Sequence, residues 1–277
     1  MRALRLFSLL LAATSLATVA VLAQTGTSSA RPPLPGAHRE PPMCVLVPAY
    51  FYPASTGPDA PWTRLRVAAA AHPGRVWAVG NPASGPGIAV DPAYTAVFDA
   101  FRASGGELLA YVHTSYAARP LAEVQAEIDT WLQMYAVDGF FLDEMSTTPG
   151  DEAYYLAVRN HVETYLPGAP VVANPGTSTS PSFLFAHGKS VASSLCIYEQ
   201  AGDFLAWSSD AWVGGLSATS FYALPHTTPP GSWPAYVDHA RAQGCGFFYC
   251  TDDALPNPWD TLPPFFESLV AYVDAAY

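Results

Sequence analysis

Basic residues are scarce in this sequence, and lysine is the scarcest of them. The chain of 277 residues contains 12 Lys and Arg against 23 Asp and Glu, a formal net charge of −11. Because nucleic-acid phosphates are held by Lys and Arg, this balance argues against a nucleic-acid partner. An acidic surface suits neutral or cationic ligands, although solubility alone also explains acidity in a secreted protein.

Several chemical signatures are also absent. Four cysteines in so long a chain do not make a disulfide scaffold, and their spacings match no zinc motif. The sequence has no Gly-x-Ser-x-Gly elbow, which disfavours a serine esterase. No Gly-rich dinucleotide fingerprint follows any apolar run, and this weakens an open doubly wound sheet.

Apolar runs long enough to approach a membrane span are confined to the N-terminus. Arg2 and Arg5 precede an apolar segment that ends in small residues before Gln24, so residues 1–23 are predicted to be a signal peptide cleaved after Ala23. The alternative is a retained anchor, for which the segment is short. Residues 24–42, rich in Pro, Ser and Thr, are predicted to be a flexible linker. We therefore expect a secreted, extracellular monomer with no membrane association after cleavage.

From residue 43 to residue 277, short apolar runs alternate with helical patterns and no second linker interrupts them. The predicted strands are 44–51, 76–82, 108–114, 139–144, 171–176, 194–200, 217–224 and 246–253. The clearest helix is 120–137, where Val124, Ile128, Leu132 and Tyr135 recur at helical spacing. The segments after the fifth and sixth strands are poorly periodic. This alternation predicts an α/β fold, a single-domain (β/α)8 TIM-type barrel, with a doubly wound sheet as the alternative.

Polar residues close nearly every predicted strand, whereas the strand bodies are apolar. The residues at these ends are Tyr50, Asn81, His113, Asp143 with Glu144, Asn174, Glu199, Tyr222, and Asp252 with Asp253. Barrel enzymes assemble their sites at the C-terminal ends of the strands. The pattern therefore favours a functional role for the acids over a solvated start of each loop.

The run DGFFLDEM, residues 138–145, supplies two adjacent acids, Asp143 and Glu144. Neighbouring side chains of a strand point to opposite faces, so only one of these acids should face the barrel mouth. Glu199, two strands further on, could face that acid, and two facing carboxylates suit glycoside hydrolysis. We expect Asp143 to attack or stabilise the sugar carbon and Glu199 to be the acid, since its apolar strand should raise its pKa. Glu144 would orient Asp143 or bind substrate.

Aromatic residues near the strand ends could stack on sugar rings, although core packing is the alternative for each one. They are Tyr50, Tyr52, Tyr111, Tyr116, Trp207, Trp212, Tyr222 and Trp259. His113 is expected to be structural or to contact ligand, because no Ser or Cys is spaced as its nucleophile. A metal site of His113, Asp252 and Asp253 is a weak alternative, so the sequence indicates neither a metal nor a cofactor.

A disulfide can also be predicted from the barrel. Cys44 opens the first strand and Cys245 precedes the last, and these strands are neighbours in a closed barrel. We therefore expect a Cys44–Cys245 disulfide, with Cys196 and Cys250 as buried thiols.

Five segments together resemble one family over residues 43–277. VPAYFYPA, YVHTSYAAR, WLQMYAVDGFFLDEM, ANPGT and FFYCTDDALPNPWDTLP resemble the spherulin-4-like glycoside hydrolases, which include secreted endo-α-1,4-N-acetylgalactosaminidases acting on galactosaminogalactan. The resemblance implies a barrel whose cleft holds an Asp-Glu pair and a further Glu, matched here by Asp143, Glu144 and Glu199. Substrate contacts would fall on Tyr50, Asn174 and Tyr222, with His113 and Asp252 as further candidates. Ala117 stands where the resemblance implies glycine.

Three functions remain open at this point. The first is a glycoside hydrolase acting on a polysaccharide rich in galactosamine or N-acetylgalactosamine, whose free amines an acidic cleft would attract. The second is a non-catalytic barrel that binds polysaccharide or cell wall. The third is a metal-dependent deacetylase or amidase. The sugar, its linkage and acetylation, endo or exo action, and retention or inversion are not decided by the sequence.

Overall fold

Eight short parallel strands close into a barrel in the computed structural model, which describes residues 41–277. The ten strands of this part of the chain are β1 (Cys44–Ala49), β2 (Val76–Gly80), β3 (Glu107–His113), β4 (Gly139–Asp143), β5 (Val171–Ala173), β6 (Phe185–Ala186), β7 (Lys189–Ser190), β8 (Ser194–Tyr198), β9 (Phe221–Ala223) and β10 (Phe247–Phe248). The barrel order is β1-β10-β9-β8-β5-β4-β3-β2, and β6 and β7 form a separate hairpin. The predicted barrel is confirmed. The signal peptide and linker residues 24–40 lie outside the described residues and stay predictions.

Six α-helices surround the barrel among the described residues. They are α1 (Pro61–Ala71), α2 (Pro92–Ala103), α3 (Leu121–Met134), α4 (Glu152–Tyr165), α5 (Trp233–Ala242) and α6 (Phe266–Ala276). In α3, Val124, Ile128 and Trp131 are fully buried, which is the helical spacing that the sequence predicts, with Trp131 rather than Leu132 at the third position. None of the helices described has the length and apolar character needed to cross a bilayer.

No α-helix is found between β5 and β9. The hairpin and four short 3-10 turns occupy this region, at Pro181–Phe183, Phe204–Ala206, Val213–Gly215 and Ala218–Ser220. The last of these turns lies within the predicted strand 217–224, so that the strand begins only at Phe221. The sequence here is rich in Ser, Gly and Pro, which favour turns over helices.

Aromatic side chains fill the barrel interior beneath its C-terminal end. The rings of Tyr111 and Phe141 have centroids 6.5 Å apart, and those of Phe141 and Tyr222 are 6.3 Å apart. Tyr50 meets Tyr111 edge-on at 5.5 Å. These residues come from β3, β4, β9 and the end of β1, so they form a closed floor under any group placed at the strand ends.

The first acid of the DGFFLDEM run is structural. Asp138 accepts from Arg102 at 2.6 Å and from the Leu108 backbone N–H at 2.9 Å. It therefore ties α2 and β3 to the start of β4, at the end of the strand remote from Asp143.

The predicted Cys44–Cys245 disulfide is wrong. Cys44 is in register with Phe247, so Cys245 lies two residues before its neighbour, about 6–7 Å along the strand. The Cys44 thiol donates instead to the Gly74 carbonyl at 3.5 Å, and all four cysteines are free. Cys196 and Cys250 are buried thiols, as predicted.

Candidate active site

Asp143 is the last residue of β4, and both of its carboxylate oxygens are engaged. The Tyr111 hydroxyl donates to Oδ2 at 2.8 Å, and the Asn174 amide donates to Oδ1 at 2.9 Å. Burial raises the pKa of Asp143, the nearby Glu144 charge raises it further, and the bonds from Tyr111 and Asn174 oppose the rise. The carboxylate therefore has one fixed orientation at the mouth of the barrel.

Asn174 joins the two predicted catalytic acids. Its Nδ2 donates to Glu199 Oε2 at 2.6 Å as well as to Asp143, while its Oδ1 accepts from the Gly176 N–H at 3.0 Å. This last bond fixes the amide with its NH2 group toward the carboxylates. Since both carboxylate oxygens bond to one nitrogen, they are separated by no more than 5.5 Å, the two bond lengths end to end.

Glu199 lies directly after β8 and is largely withdrawn from solvent. Burial raises the pKa of its carboxyl from its ordinary 4.5 to about 7. The bonds from Asn174 and Trp259 lower this pKa, and the neighbouring Asp143 charge raises it. A carboxyl with this pKa is in large part protonated near neutral pH, and it can therefore donate a proton.

Glu144 lies just beyond the end of β4, so the strand alternation that was expected to set its orientation does not apply to it. Its backbone is left-handed, with φ +51°, so the alternation of side chains ends at Asp143. Its side chain is half-buried, and its charge raises the pKa of both Asp143 and Tyr111. Glu144 thus lies beside the pair formed by Asp143 and Glu199.

The four other predicted contact residues fall into different settings. Tyr50 lies in the site, since burial, Asp143, Tyr111 and Glu199 all raise the pKa of its hydroxyl. Tyr222 is fully buried and donates to the Ala173 carbonyl at 3.1 Å, which places it in the floor rather than in the open cleft. A ligand contact by Tyr222 therefore requires this floor to open.

His113 lies at the end of β3, next to Asp143, whereas Asp252 lies beyond the end of β10. His113 is paired in register with Asp143, its ring is half-buried, and its Nδ1 has no hydrogen-bond partner among residues 41–277. Asp252 is exposed on the loop after β10. Its contact with substrate stays a prediction.

Two residues of the site were not identified as partners of the acids from the sequence. The Tyr111 hydroxyl donates to Asp143. The sequence could have indicated this contact, because residues 111 and 113 lie on the same face of β3 and His113 is the register partner of Asp143. Trp259 bonds Glu199 with its side chain, and its carbonyl accepts from the Tyr50 N–H at 3.1 Å. Trp259 lies in a long loop after β10, and it reaches the end of β8 across the intervening strand β9.

The polar groups around Asp143 and Glu199 include carboxylates, phenol hydroxyls and one amide. In the part of the chain that the structure describes, no group of three or more His, Cys, Asp and Glu side chains is arranged to hold a metal ion. The chemistry that these residues themselves offer is a carboxyl with a pKa of about 7, Glu199, beside a carboxyl that hydrogen-bond donors hold in one orientation, Asp143. This pair can transfer a proton and stabilise or attack a positively charged carbon.

A closed parallel barrel with paired carboxyls at its C-terminal mouth places this protein among the TIM barrels with an acidic site. Residues 44–273 match the Spherulin4 family, described as spherulation-specific family 4, and the chain belongs to that family. Spherulin-4 of Physarum polycephalum is 33% identical over 225 residues, which cover 77% of this chain and 64% of that protein. The chain thus aligns with less than two thirds of that relative.

A solved structure shares the fold. The crystal structure of Aspergillus clavatus Sph3 in complex with GalNAc superposes with a TM-score of 0.71, covers 84% of this chain and 98% of that chain, and is 24% identical. At this identity the likeness shows that the two chains have the same barrel.

Proposed function

We propose that this protein is a secreted glycoside hydrolase that cleaves α-1,4-linked N-acetylgalactosamine or galactosamine polymers, such as galactosaminogalactan, within the chain. The observation that carries the proposal is the Asn174 bridge, which holds the Asp143 and Glu199 oxygens within 5.5 Å. The sugar is suggested by Sph3, which was solved with GalNAc. Secretion rests on the predicted signal peptide of residues 1–23.

The spacing favours a retaining mechanism, in which carboxyl groups lie about 5–5.5 Å apart, over an inverting one, which needs about 6.5–9.5 Å. Asp143, oriented by Tyr111 and Asn174, attacks the anomeric carbon while Glu199 gives its proton to the leaving glycosidic oxygen. Glu199 then removes a proton from water, which displaces Asp143 from the sugar. A pKa of about 7 allows Glu199 to serve first as acid and then as base.

The other side chains have supporting roles in this mechanism. The Tyr111 hydroxyl and Asn174 amide stabilise the ionised form of Asp143. The Glu144 carboxylate, which lies near Asp143 and Tyr111, would bind a substrate amine or hydroxyl. A polymer that has lost part of its acetyl groups is cationic, so an excess of acids at the cleft would draw it in.

The test is to incubate the purified protein with galactosaminogalactan and with a panel of α- and β-linked hexosamine polymers, and to measure new reducing ends. Asp143→Asn and Glu199→Gln should each slow release by orders of magnitude, whereas substitution of Glu163, an exposed acid near the end of α4, by Gln should not. Binding of a polymer without any new ends would overturn hydrolysis and favour the polysaccharide-binding barrel. Release of acetate without chain cleavage would favour the deacetylase.

A further inference from the structure

The loop after β3 contains three consecutive residues in the left-handed conformation, and none of them is glycine. The φ angles are +47° for Ser115, +57° for Tyr116 and +66° for Ala117. Each such residue is sterically strained relative to a normal backbone, because its Cβ crowds the neighbouring peptide. A run of three persists only where the surrounding contacts hold it.

The contacts join this turn to a second left-handed residue, Glu144. The Tyr116 N–H donates to the Glu144 carbonyl at 2.7 Å, and the Thr114 hydroxyl donates to the same carbonyl at 2.8 Å. The loops that follow β3 and β4 are therefore tied to each other beside Asp143. Thr114 is fully buried, so water cannot replace its bond.

Tyr155 of α4 is the centre of this arrangement. Its hydroxyl lies 3.0 Å from the Thr114 hydroxyl, accepts from the Ser146 N–H at 2.7 Å, and forms a hydrogen bond with the backbone of Ala117. Because Thr114 donates its one proton to Glu144, the Tyr155 hydroxyl must be the donor to Thr114. It then uses one donor and two acceptor positions, which is the full capacity of a phenol.

Tyr155 itself cannot touch substrate, since only 1% of it is exposed. The residue that the arrangement leaves open is Tyr116, which is 63% exposed. An exposed aromatic ring on a loop held in a costly conformation differs from a ring on a free loop, because its backbone loses little further freedom when a ligand binds. The flat face of such a ring can pack against the face of a sugar.

We propose that residues 115–117 form a substrate platform, on which the Tyr116 ring stacks against a sugar unit next to the bond to be cleaved. Thr114 and Tyr155 are the positioning residues of this platform. The inference rests on the proposed action on a polysaccharide, and it adds a specificity-determining residue outside the carboxyl cluster.

The first test compares Tyr116→Ala with Tyr116→Phe in the full-length protein. Loss of the ring should raise KM for the polymer about tenfold and leave kcat nearly unchanged, while Tyr116→Phe should keep the KM of the wild type because stacking uses the ring face. Tyr165→Ala is the matched control, since Tyr165 is 58% exposed at the end of α4. Equal KM values for Tyr116→Ala and Tyr165→Ala would overturn the platform.

The second test separates positioning from general stability. Tyr155→Phe keeps the buried ring and removes the hydroxyl, so KM should rise severalfold, and Tyr116→Ala should then add little to it. Tyr272→Phe, which loses a hydroxyl bonded to Asp238 at 2.9 Å, should change neither KM nor kcat. Additive effects of the Tyr155 and Tyr116 substitutions on KM would show that Tyr155 is structural only.

The same variants distinguish failure of the platform from failure of the proposed function. Binding of α-1,4-linked N-acetylgalactosamine oligomers is followed by intrinsic fluorescence alongside the hydrolysis assay. If the wild type binds the oligomers without cleaving them, hydrolysis is wrong, and a lower affinity of Tyr116→Ala than of Tyr165→Ala still supports the platform. If the wild type neither binds nor cleaves them, both proposals are wrong.

Discussion

Asp143 and Glu199 accept hydrogen bonds from the same nitrogen atom, the side-chain amide of Asn174, at 2.9 and 2.6 Å. The two acids come from β4 and from the end of β8, and Asn174 follows β5, the strand between them. The bridging amide keeps the two carboxyls close, and it favours the ionised form of each. This geometry sets the separation of the acids, and hence the stereochemistry expected of the reaction.

The first prediction concerns the anomeric outcome. With the two oxygens no more than 5.5 Å apart, the first product of cleavage should keep the α configuration. Proton NMR of the anomeric signals, recorded before mutarotation, measures this directly. An initial β signal would contradict the assignment of Asp143 as nucleophile.

The second prediction assigns the two roles. Asp143→Asn and Glu199→Gln should each lower kcat by about 10² to 10⁴ while leaving the fold intact, because each removes a step of proton transfer or attack. For an aryl glycoside with a good leaving group, Glu199→Gln should lose less activity than Asp143→Asn, since that leaving group needs no acid. If Glu199→Gln and Asp143→Asn lost the same factor in kcat on the aryl glycoside as well as on the polymer, these two roles would be wrong. Circular dichroism checks the fold.

The third prediction tests the bridge. In Asn174→Ala the pKa of both carboxyls should rise, because each loses a donor that favours its ionised form. Asp143 must be ionised and Glu199 protonated, so both limbs of the rate profile should move to higher pH. The profile of kcat/KM against pH measures this shift. Asn160→Ala, an exposed position on α4, should leave the profile in place.

The barrel and its principal acids could be predicted from the sequence because both depend on local patterns. Asp143 and Glu199 end short apolar runs, and parallel strands bring such ends to one rim. Asn174 could be identified for the same reason. The absence of a Cys44–Cys245 disulfide could not be predicted. It results from an offset of two residues in the register of β1 and β10, and apolar runs do not specify register.

Other features of the site depend on tertiary structure. Trp259 reaches Glu199 from the loop after β10, across β9, and no local pattern in the sequence specifies that contact. The left-handed backbone of Glu144 could not be predicted from the sequence, because glycine is the residue that normally marks this conformation. There the contacts of Thr114 and Tyr116 override the local preference.

The fourth prediction concerns stability and pH. The folded pKa of Glu199, about 7, lies above its ordinary 4.5, so the folded state binds more protons than the unfolded state between these values. The stability that this proton gives is present below about pH 4.5 and is lost as pH rises through about 7. At about pH 8, Glu199→Gln should therefore be more stable than the wild type by up to about 3 kcal/mol, with a smaller difference at about pH 5.

Urea unfolding at the two pH values measures this difference. Glu163→Gln is the control, because its carboxyl is exposed and should give the same small change at both. A difference between wild type and Glu199→Gln that does not grow with pH would contradict the raised pKa.

The last prediction uses Ala117, which occupies a left-handed position with φ +66°. Ala117→Gly should remove the steric cost of that conformation and raise the free energy of unfolding by about 1 kcal/mol. The adjacent and exposed Ala118 does not have a positive φ, so Ala118→Gly should lower the free energy of unfolding by about 0.5–1 kcal/mol through the entropy of the unfolded chain. Urea unfolding of the two variants should therefore give changes of opposite sign. The proposed platform also predicts that Ala117→Gly raises KM for the polymer, because glycine makes the backbone of residues 115–117 more flexible and so positions Tyr116 less well. A loss of stability of the same size in both variants would show that Ala117 is not strained.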